Sequence, residues 1–210
     1  MKLGRPGAHS KRDVFSSLLD AAQRSIREKS YDELTSSELA RLAGTNQAMI
    51  NYYFNNKGGL FSVLVENVLK GVASDLERLM ILVAEDAVPQ PTEAILNVLV
   101  KHYMSSSHLI KTLIDKMSND KSDLNIYYRE RSRRSFSKIC QLIQQCKESG
   151  IYRQDLDTTH AAFMIICFTV TPCALGPVMD DYGLSIDKMS KDSWIRYIAT
   201  VLDKDFRAAC

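Results

Sequence analysis

Four side chains near the N-terminus have the types and spacing needed to read DNA bases. Gln47, Ala48, Asn51 and Tyr52 fall at i, i+1, i+4 and i+5, so they share one face if residues 46–53 are helical. Glutamine and asparagine amides pair bidentately with adenine in the major groove, and alanine contacts the thymine methyl group. Because polar residues also line ordinary solvated helices, the pattern indicates base readout only in combination with its surroundings.

Side chains suited to phosphate oxygens flank these four residues, in the form of hydroxyl groups and one ammonium group. The predicted DNA-contacting set is Thr35, Ser36, Ser37, Asn46, Gln47, Ala48, Asn51, Tyr52 and Lys57. Residues 1–12 add Lys2, Arg5, Lys11 and Arg12 without any acid, although the net charge of the whole chain is only +2. A basic arm on a nearly neutral chain suits a polyanionic partner, and it also suits a solubilising terminus.

Two short helices joined by a glycine turn would position these residues. Thr35 followed by Glu38 predicts the start of a helix over about 36–43, and Gly44 permits the left-handed backbone that ends it. A second helix over about 46–53 would be fixed to a small core by Ile50 and Phe54 together with Leu39 and Leu42. This is the spacing of a helix-turn-helix, whose second helix enters the major groove.

Residues 13–61 resemble the head of the TetR family of bacterial helix-turn-helix transcriptional regulators. The likeness is carried by ELARLAG, TNQAMINYYF and NNKGGLF, and by the GRP of residues 4–6. The segment ESGIYRQDLDTTHAA, at 148–162, resembles the family's turn into its dimerising helices. Two features depart from the family pattern. Asn51 stands where tyrosine is frequent, which favours a base contact, and Gly58 and Gly59 replace helix formers, either as a soft joint or as tolerated first-turn residues.

The resemblance implies an all-α fold with a three-helix head and a helical body for ligand binding and dimerisation. We expect a DNA-binding domain with its basic arm over 1–56 and an effector-binding and dimerisation domain over 57–210. Helical periodicity predicts further helices at about 57–85, 92–117, 123–149, 157–180 and 188–206. By resemblance, the last two form the contacts of a homodimer.

The segment 161–179 carries no charged side chain, so it could be a membrane span or a buried helix. Pro172 and Pro177 interrupt it, and acids rather than basic clusters flank it. We therefore expect no membrane partner, and we expect the second face of this helix to be covered by the partner chain.

The resemblance also implies a small-molecule effector held by the body. Large or deformable side chains suit a small, largely apolar ligand, although the same residue types fill ordinary helical cores. The candidate pocket residues are Tyr103, Met104, Met117, Tyr127, Phe163, Met164 and Cys167. The basic run Arg129, Arg131, Arg133 and Arg134 suits either an anionic ligand or a solvated helix face.

The sequence lacks the spacings of a catalytic or metal site. Its four histidines are scattered, its five cysteines lack CxxC spacing, and no phosphate-binding glycine run is present. We therefore expect no enzyme activity, no metal and no cofactor, with reduced thiols in the cytoplasm. The leading hypothesis is a sequence-specific repressor released from a pseudo-palindromic DNA operator by a small molecule. A regulator that responds to a protein partner or to no ligand is the first alternative, and an enzyme or binding protein with a vestigial head is the second.

Overall fold

The computed structural model of the chain describes residues 8–117, 123–182 and 191–208, and these residues are predominantly helical. The helices are α1 (Ala8–Glu28), α2 (Ser36–Leu42), α3 (Gln47–Phe54), α4 (Lys57–Ala84), α5 (Pro91–Ser105), α6 (Ser107–Met117), α7 (Asp123–Glu148), α8 (Thr158–Asp181) and α9 (Lys191–Phe206). In these ranges the extended backbone is limited to an isolated antiparallel bridge between Tyr152 and Arg207. The predicted all-α fold is confirmed.

The chain divides into two compact units. The first comprises Met1–Asn67 and Thr112–Glu130, and the second comprises Val68–Lys111 and Arg131–Cys210. Three helices, α4, α6 and α7, therefore contribute residues to both units.

A helix predicted as continuous over about 92–117 is in fact two helices. Ser106, between α5 and α6, has φ −124° and ψ 28°, which is outside the helical range. It lies in a run of three serines, and the Ser105 hydroxyl donates to the backbone oxygen of His102 at 2.9 Å. Serine side chains compete for backbone hydrogen bonds in this way, which weakens a helix at such a point.

The head core of the first unit is built where α1, α2 and α3 pack together. Leu18, Leu39 and Ile50 are fully buried, and Phe54 stacks on Phe15 with ring centroids 4.9 Å apart. The predicted burial of Leu39, Ile50 and Phe54 is thus confirmed. Burying each of these side chains contributes roughly 1.5–3 kcal/mol.

The predicted burial of Leu42 is wrong, since this side chain is 46% exposed. The buried face of α2 is formed by Leu39 and Ala40, and its next position along the helix is Ala43. Leu42 precedes Ala43 by one residue, so its side chain is rotated off the buried face of α2 and points away from the core.

In the second unit, α5 packs against both α8 and α9. Tyr152 and Phe206 are fully buried, with their rings edge to face at 5.8 Å. The Tyr152 hydroxyl lies 2.7 Å from that of Thr92, which also donates to the Asp203 carboxylate. The end of α9 is thereby fixed to the start of α5.

A polar cluster fixes α4 to α5 within the second unit. The Asp75 carboxylate is 2.8 Å from both Lys101 Nζ and His102 Nε2. Hydrogen bonds from Lys101 and His102 lower the pKa of Asp75 to about 2. The His102 ring occupies the space beside Gly71, where an added Cβ would lie 2.6 Å from a ring carbon.

Within the described residues, the Thr158–Gly176 stretch of α8 is long and apolar enough to cross a membrane, with a mean hydropathy of 1.5. Length and composition alone do not distinguish such a span from the core helix of a soluble protein. One side of α8 packs on α5, and 33% of this stretch is buried within the protomer.

The joint between α3 and α4 requires a glycine at position 59. The Asn56 side chain caps α4 by accepting from the Gly59 backbone N–H at 2.8 Å. A Cβ on Gly59 would lie 1.8 Å from the backbone oxygen of Phe54, far inside contact distance. Close approach of two backbones therefore accounts for Gly59, whatever the flexibility of the joint.

We expect Gly59→Ala to destabilise the head, although alanine ordinarily favours a helix. The clash with the Phe54 carbonyl requires a backbone shift that costs roughly 1–3 kcal/mol, as overpacking does elsewhere. Ser74→Ala, at an exposed site on the same helix, serves as the control and should be neutral or slightly stabilising. Urea unfolding measures both variants. Wild-type or higher stability in Gly59→Ala would show that the glycine is merely tolerated.

Candidate nucleic-acid interface

The first helix of the candidate interface is started by Thr35. Its backbone is extended, and its hydroxyl oxygen accepts from the Glu38 backbone N–H at 3.2 Å. The Glu38 carboxylate accepts from Lys29 Nζ at 2.7 Å, which ties the start of α2 to the end of α1. Thr35 and Ser37 are exposed and Ser36 is half-buried, which places hydroxyl groups at the surface beside the start of α2.

The turn between α2 and α3 depends on Gly44, whose φ is +68°. The N–H of Thr45 donates to the Ala40 oxygen at 2.9 Å, and the N–H of Gly44 donates to the Arg41 oxygen at 3.1 Å. This pair of bonds is a Schellman motif, which ends a helix and reverses the chain within two residues. The predicted glycine turn is confirmed, and it sets the direction in which α3 leaves α2.

One face of α3 is packed in the head core and the other is free to meet a partner. Ile50 and Phe54 are buried, whereas the predicted base-reading residues are exposed together on the opposite side: Gln47, Ala48, Asn51 and Tyr52. Asn46 precedes them at the N-cap position without a side-chain capping bond, so its amide is exposed as well. The structure thus brings these five residues onto one surface.

Tyr52 is oriented by aromatic neighbours although its own side chain is 65% exposed. Its ring meets the Tyr53 ring edge to face at 4.9 Å, and Tyr53 in turn meets Phe15 of the core at 5.7 Å. Such edge-to-face pairs restrict ring orientation. The Tyr52 hydroxyl is therefore presented from a fixed ring.

Lys57 has a structural role that the sequence did not reveal. Its Nζ donates to the backbone oxygens of Tyr31 at 2.8 Å and Leu34 at 2.7 Å, and it lies 4.1 Å from the centroid of the Tyr31 ring. Burial lowers the pKa of Lys57 below its ordinary value. An ammonium group has three N–H donors and two are used here, so the predicted phosphate contact would require the third.

The predicted effector-pocket residues are divided between the two compact units. In the second unit Tyr103 is buried and Met104 and Cys167 are half-buried, with Met104 Sδ 4.0 Å from Cys173 Sγ. In the first unit the Tyr127 hydroxyl donates to Glu66 at 2.7 Å. The side chain of Met117 lies outside the described residues.

Phe163 and Met164 lie at the surface of the protomer, and their assignment to an effector pocket stays a prediction. Phe163 is 60% exposed and Met164 is 40% exposed. Both lie on the outer side of α8, whose neighbours Ala161, Ala162 and Ile165 are buried instead. The uniformly apolar sequence of α8 concealed which side faces inward.

The second unit has an open groove of about 760 Å³, bordered by α4, α7 and the first residue of α8. Its apolar wall includes Met80, Ile81, Ala84 and Cys140, and the side chains of Gln141, Gln144 and Gln145 supply polar groups.

The basic run predicted on α7 is exposed, with the side chains of Arg129, Arg131, Arg133 and Arg134 at the surface. Arg134 assists Lys138 in lowering the pKa of Glu77. Among the residues that the structure describes, no group of three or more His, Cys, Asp or Glu could hold a metal ion.

The head is similar to a known family of proteins. Residues 18–64 match the family model described as bacterial regulatory proteins, tetR family. No curated protein sequence matches the chain.

Solved structures with the same fold extend over almost the whole chain. The fatty acid degradation regulator FadR from Bacillus halodurans has a TM-score of 0.71 at 20% identity, covering 95% of this chain and 96% of its own. PfmR of Thermus thermophilus, a TetR family transcriptional regulator, has a TM-score of 0.68 at 15% identity, covering 90% and 97%. SmeT, the repressor of the Stenotrophomonas maltophilia multidrug efflux pump SmeDEF, has a TM-score of 0.67 at 17% identity, covering 93% of each chain. At these identities the likeness establishes the fold.

We predict that Asn51→Ala and Gln47→Ala each weaken binding to the preferred duplex by roughly 1–3 kcal/mol and relax the choice of base at one position. Asn67→Ala, an exposed asparagine of α4, is the matched control and should bind as the wild type does. Fluorescence anisotropy with the preferred duplex and its single-base variants measures the effect.

Lys57→Ala should behave differently. It removes a phosphate partner, so binding to all sequences should weaken and the salt slope should fall by about one. It should also lower the free energy of unfolding, because the Tyr31 and Leu34 carbonyls lose their donor. Equal and sequence-independent losses from all three variants would contradict the assignment of Gln47 and Asn51 to base readout.

Proposed function

We propose that this chain, whose residues 18–64 match the model of the tetR family of bacterial regulatory proteins, is a sequence-specific, DNA-binding transcriptional repressor. One observation carries the proposal. Gln47, Ala48, Asn51 and Tyr52 are exposed side by side on a helix whose opposite face is held in the head core. A helix fixed in this way can enter the major groove without losing its orientation.

The chemistry of the exposed residues matches the two tasks of a DNA reader. The amides of Gln47 and Asn51 each offer an N–H donor and a carbonyl acceptor. These complement the N7 acceptor and the N6 amino donor of adenine. Thr35, Ser37 and the remaining Lys57 donor suit phosphate oxygens, which fix position without carrying sequence information. We assign the chain no catalytic role, and a DNA partner would place it in the cytoplasm.

Selection from a random duplex library tests the proposal directly. The recombinant chain should enrich a pseudo-palindromic site, and log affinity for that site should fall linearly with log salt concentration. The two half-sites should lie about 34–36 Å apart, or a multiple of that distance. Enrichment of no sequence at low salt would contradict the proposal.

A two-fold dimer is the assembly that we propose for reading two half-sites. The outer side of α8 and part of α9 expose large apolar side chains: Phe163, Met164, Leu175, Val178, Tyr197 and Val201. Exposed large apolar side chains that share the face of a helix are typical of an association site. The predicted dimer helices, at about 157–180 and 188–206, correspond to α8 and α9, although residues 188–190 lie outside the described ranges.

We expect Leu175→Arg to convert the dimer into a monomer of 23.7 kDa, because a buried guanidinium without a partner is costly. Leu82→Arg is the matched control, since Leu82 on α4 is 45% exposed and Leu175 is 47% exposed. Light scattering at micromolar concentration should give a dimer for the wild type and for Leu82→Arg. A monomeric wild type, or a dimeric Leu175→Arg, would contradict the assignment of this face.

Release from DNA by a small, largely apolar molecule is the regulation that we propose. An effector acts only if it binds the DNA-incompetent arrangement more tightly than the competent one. The half-buried Met104, whose Sδ lies 4.0 Å from Cys173 Sγ, and the half-buried Cys167 supply deformable apolar surface in the second unit. A regulator that answers to a protein partner or to no ligand is the alternative. Competition between a compound library and the selected duplex distinguishes the two.

A further inference from the structure

Side chains from two helices hold the loop between α1 and α2, and the loop leads directly to the phosphate-facing start of α2. From α4, Lys57 donates to the Tyr31 and Leu34 oxygens, and Phe61 meets the Tyr31 ring edge to face at 5.1 Å. From α6, Lys116 lies 5.7 Å from the centroid of the same ring. The Tyr31 ring is thus a shared contact of α4 and α6.

Lys116 also forms an ion pair with the loop. Its Nζ is 2.7 Å from Asp32 Oδ1 and 2.5 Å from Asp32 Oδ2, so both carboxylate oxygens are engaged. The Lys116 side chain is 21% exposed and that of Asp32 is 74% exposed. The hydrogen bond from Lys116 lowers the pKa of Asp32, which keeps the carboxylate charged. Both residues belong to the first compact unit.

The position of the loop determines where α2 begins. Asp32 precedes the N-cap residue Thr35 by three positions, and the Leu34 side chain between them is fully buried. The Ser30 hydroxyl and backbone N–H both donate to Glu33, at 2.8 and 2.9 Å, which stiffens the loop. Asp32 is thus joined to Thr35 through a short segment that its own hydrogen bonds and the buried Leu34 hold in place.

We propose that the Asp32–Lys116 pair positions the start of α2 for phosphate contact, which makes α6 part of the DNA-binding machinery without touching DNA. The inference rests on the proposed DNA-binding function. Asp32 and Lys116 are positioning residues in this scheme, and the phosphate partners remain Thr35, Ser37 and Lys57.

Charge alone predicts the opposite result for one variant, which makes the inference testable. Asp32 is an exposed negative charge near the proposed phosphate-facing surface, so its removal should strengthen binding to DNA if only long-range electrostatics mattered. If Asp32 positions α2, Asp32→Asn should weaken binding instead. Exposed ion pairs have modest energies, so we expect a loss of about two- to fivefold for each head.

The experiment uses the full chain and the duplex that the wild type selects from a random library. Asp32→Asn, Lys116→Met and the double variant are titrated beside two charge-matched controls. Glu28→Gln removes an exposed acid at the end of α1, and Lys111→Met removes an exposed lysine of α6. Circular dichroism melts confirm that all five variants are folded.

We expect both single variants to bind the duplex more weakly than the wild type. The double variant should lose no more affinity than the single variant that binds less tightly. That non-additivity arises because either change alone already breaks the pair. The controls should differ from the wild type in affinity by less than twofold.

Two outcomes would overturn the inference while leaving the proposed function intact. One is binding by Asp32→Asn that is as tight as or tighter than that of the wild type, and the other is additive losses in the double variant. Failure of the wild type to select any duplex would instead overturn the proposed function, and the inference with it.

Discussion

The burial of Ile50 and Phe54 is the packing on which the proposed DNA-binding surface depends. An eight-residue helix has little stability of its own, so α3 exists as a helix because its apolar face is packed on α1 and α2. The same packing fixes its rotation and leaves Gln47 and Asn51 pointing outward. Phe54 has two further consequences, because its ring stacks on Phe15 and its carbonyl excludes any side chain at Gly59. A loss of this packing would remove the recognition surface together with the joint to α4.

Much of the head could be predicted from its sequence because the determining contacts are short in range. The helical repeat identified Ile50 and Phe54, and the need for a left-handed residue identified Gly44. Leu42 was misjudged because periodicity gives the face of a helix only to within about one residue at its end. Lys57 was predicted only to contact phosphate, and its structural role was missed, since its carbonyl partners lie in a loop whose path no local pattern describes. Asp32 and Lys116 are 84 residues apart in the sequence, and no local pattern in either segment predicts that they pair.

The body was predicted less completely for a physical reason. Periodicity locates a helix by the contrast between its faces, and α8 is apolar on every side. Its sequence therefore predicted burial against two partners but not which residues meet which partner. The structure resolves this for the protomer, with Ile165 turned inward and Phe163 turned outward. The break at Ser106 was missed for a related reason, since apolar periodicity continues through a serine run that the backbone does not follow.

Adenine N7 scanning is the most direct measurement of the central claim that α3 reads bases in the major groove. Each adenine of the selected duplex is replaced in turn by 7-deazaadenine, which lacks the acceptor that a bidentate Asn or Gln contact requires. We predict that affinity falls at a few adenines arranged as two symmetric groups, separated by one helical turn or a multiple of it. Uniform affinity across all substitutions would contradict base readout by Gln47 and Asn51.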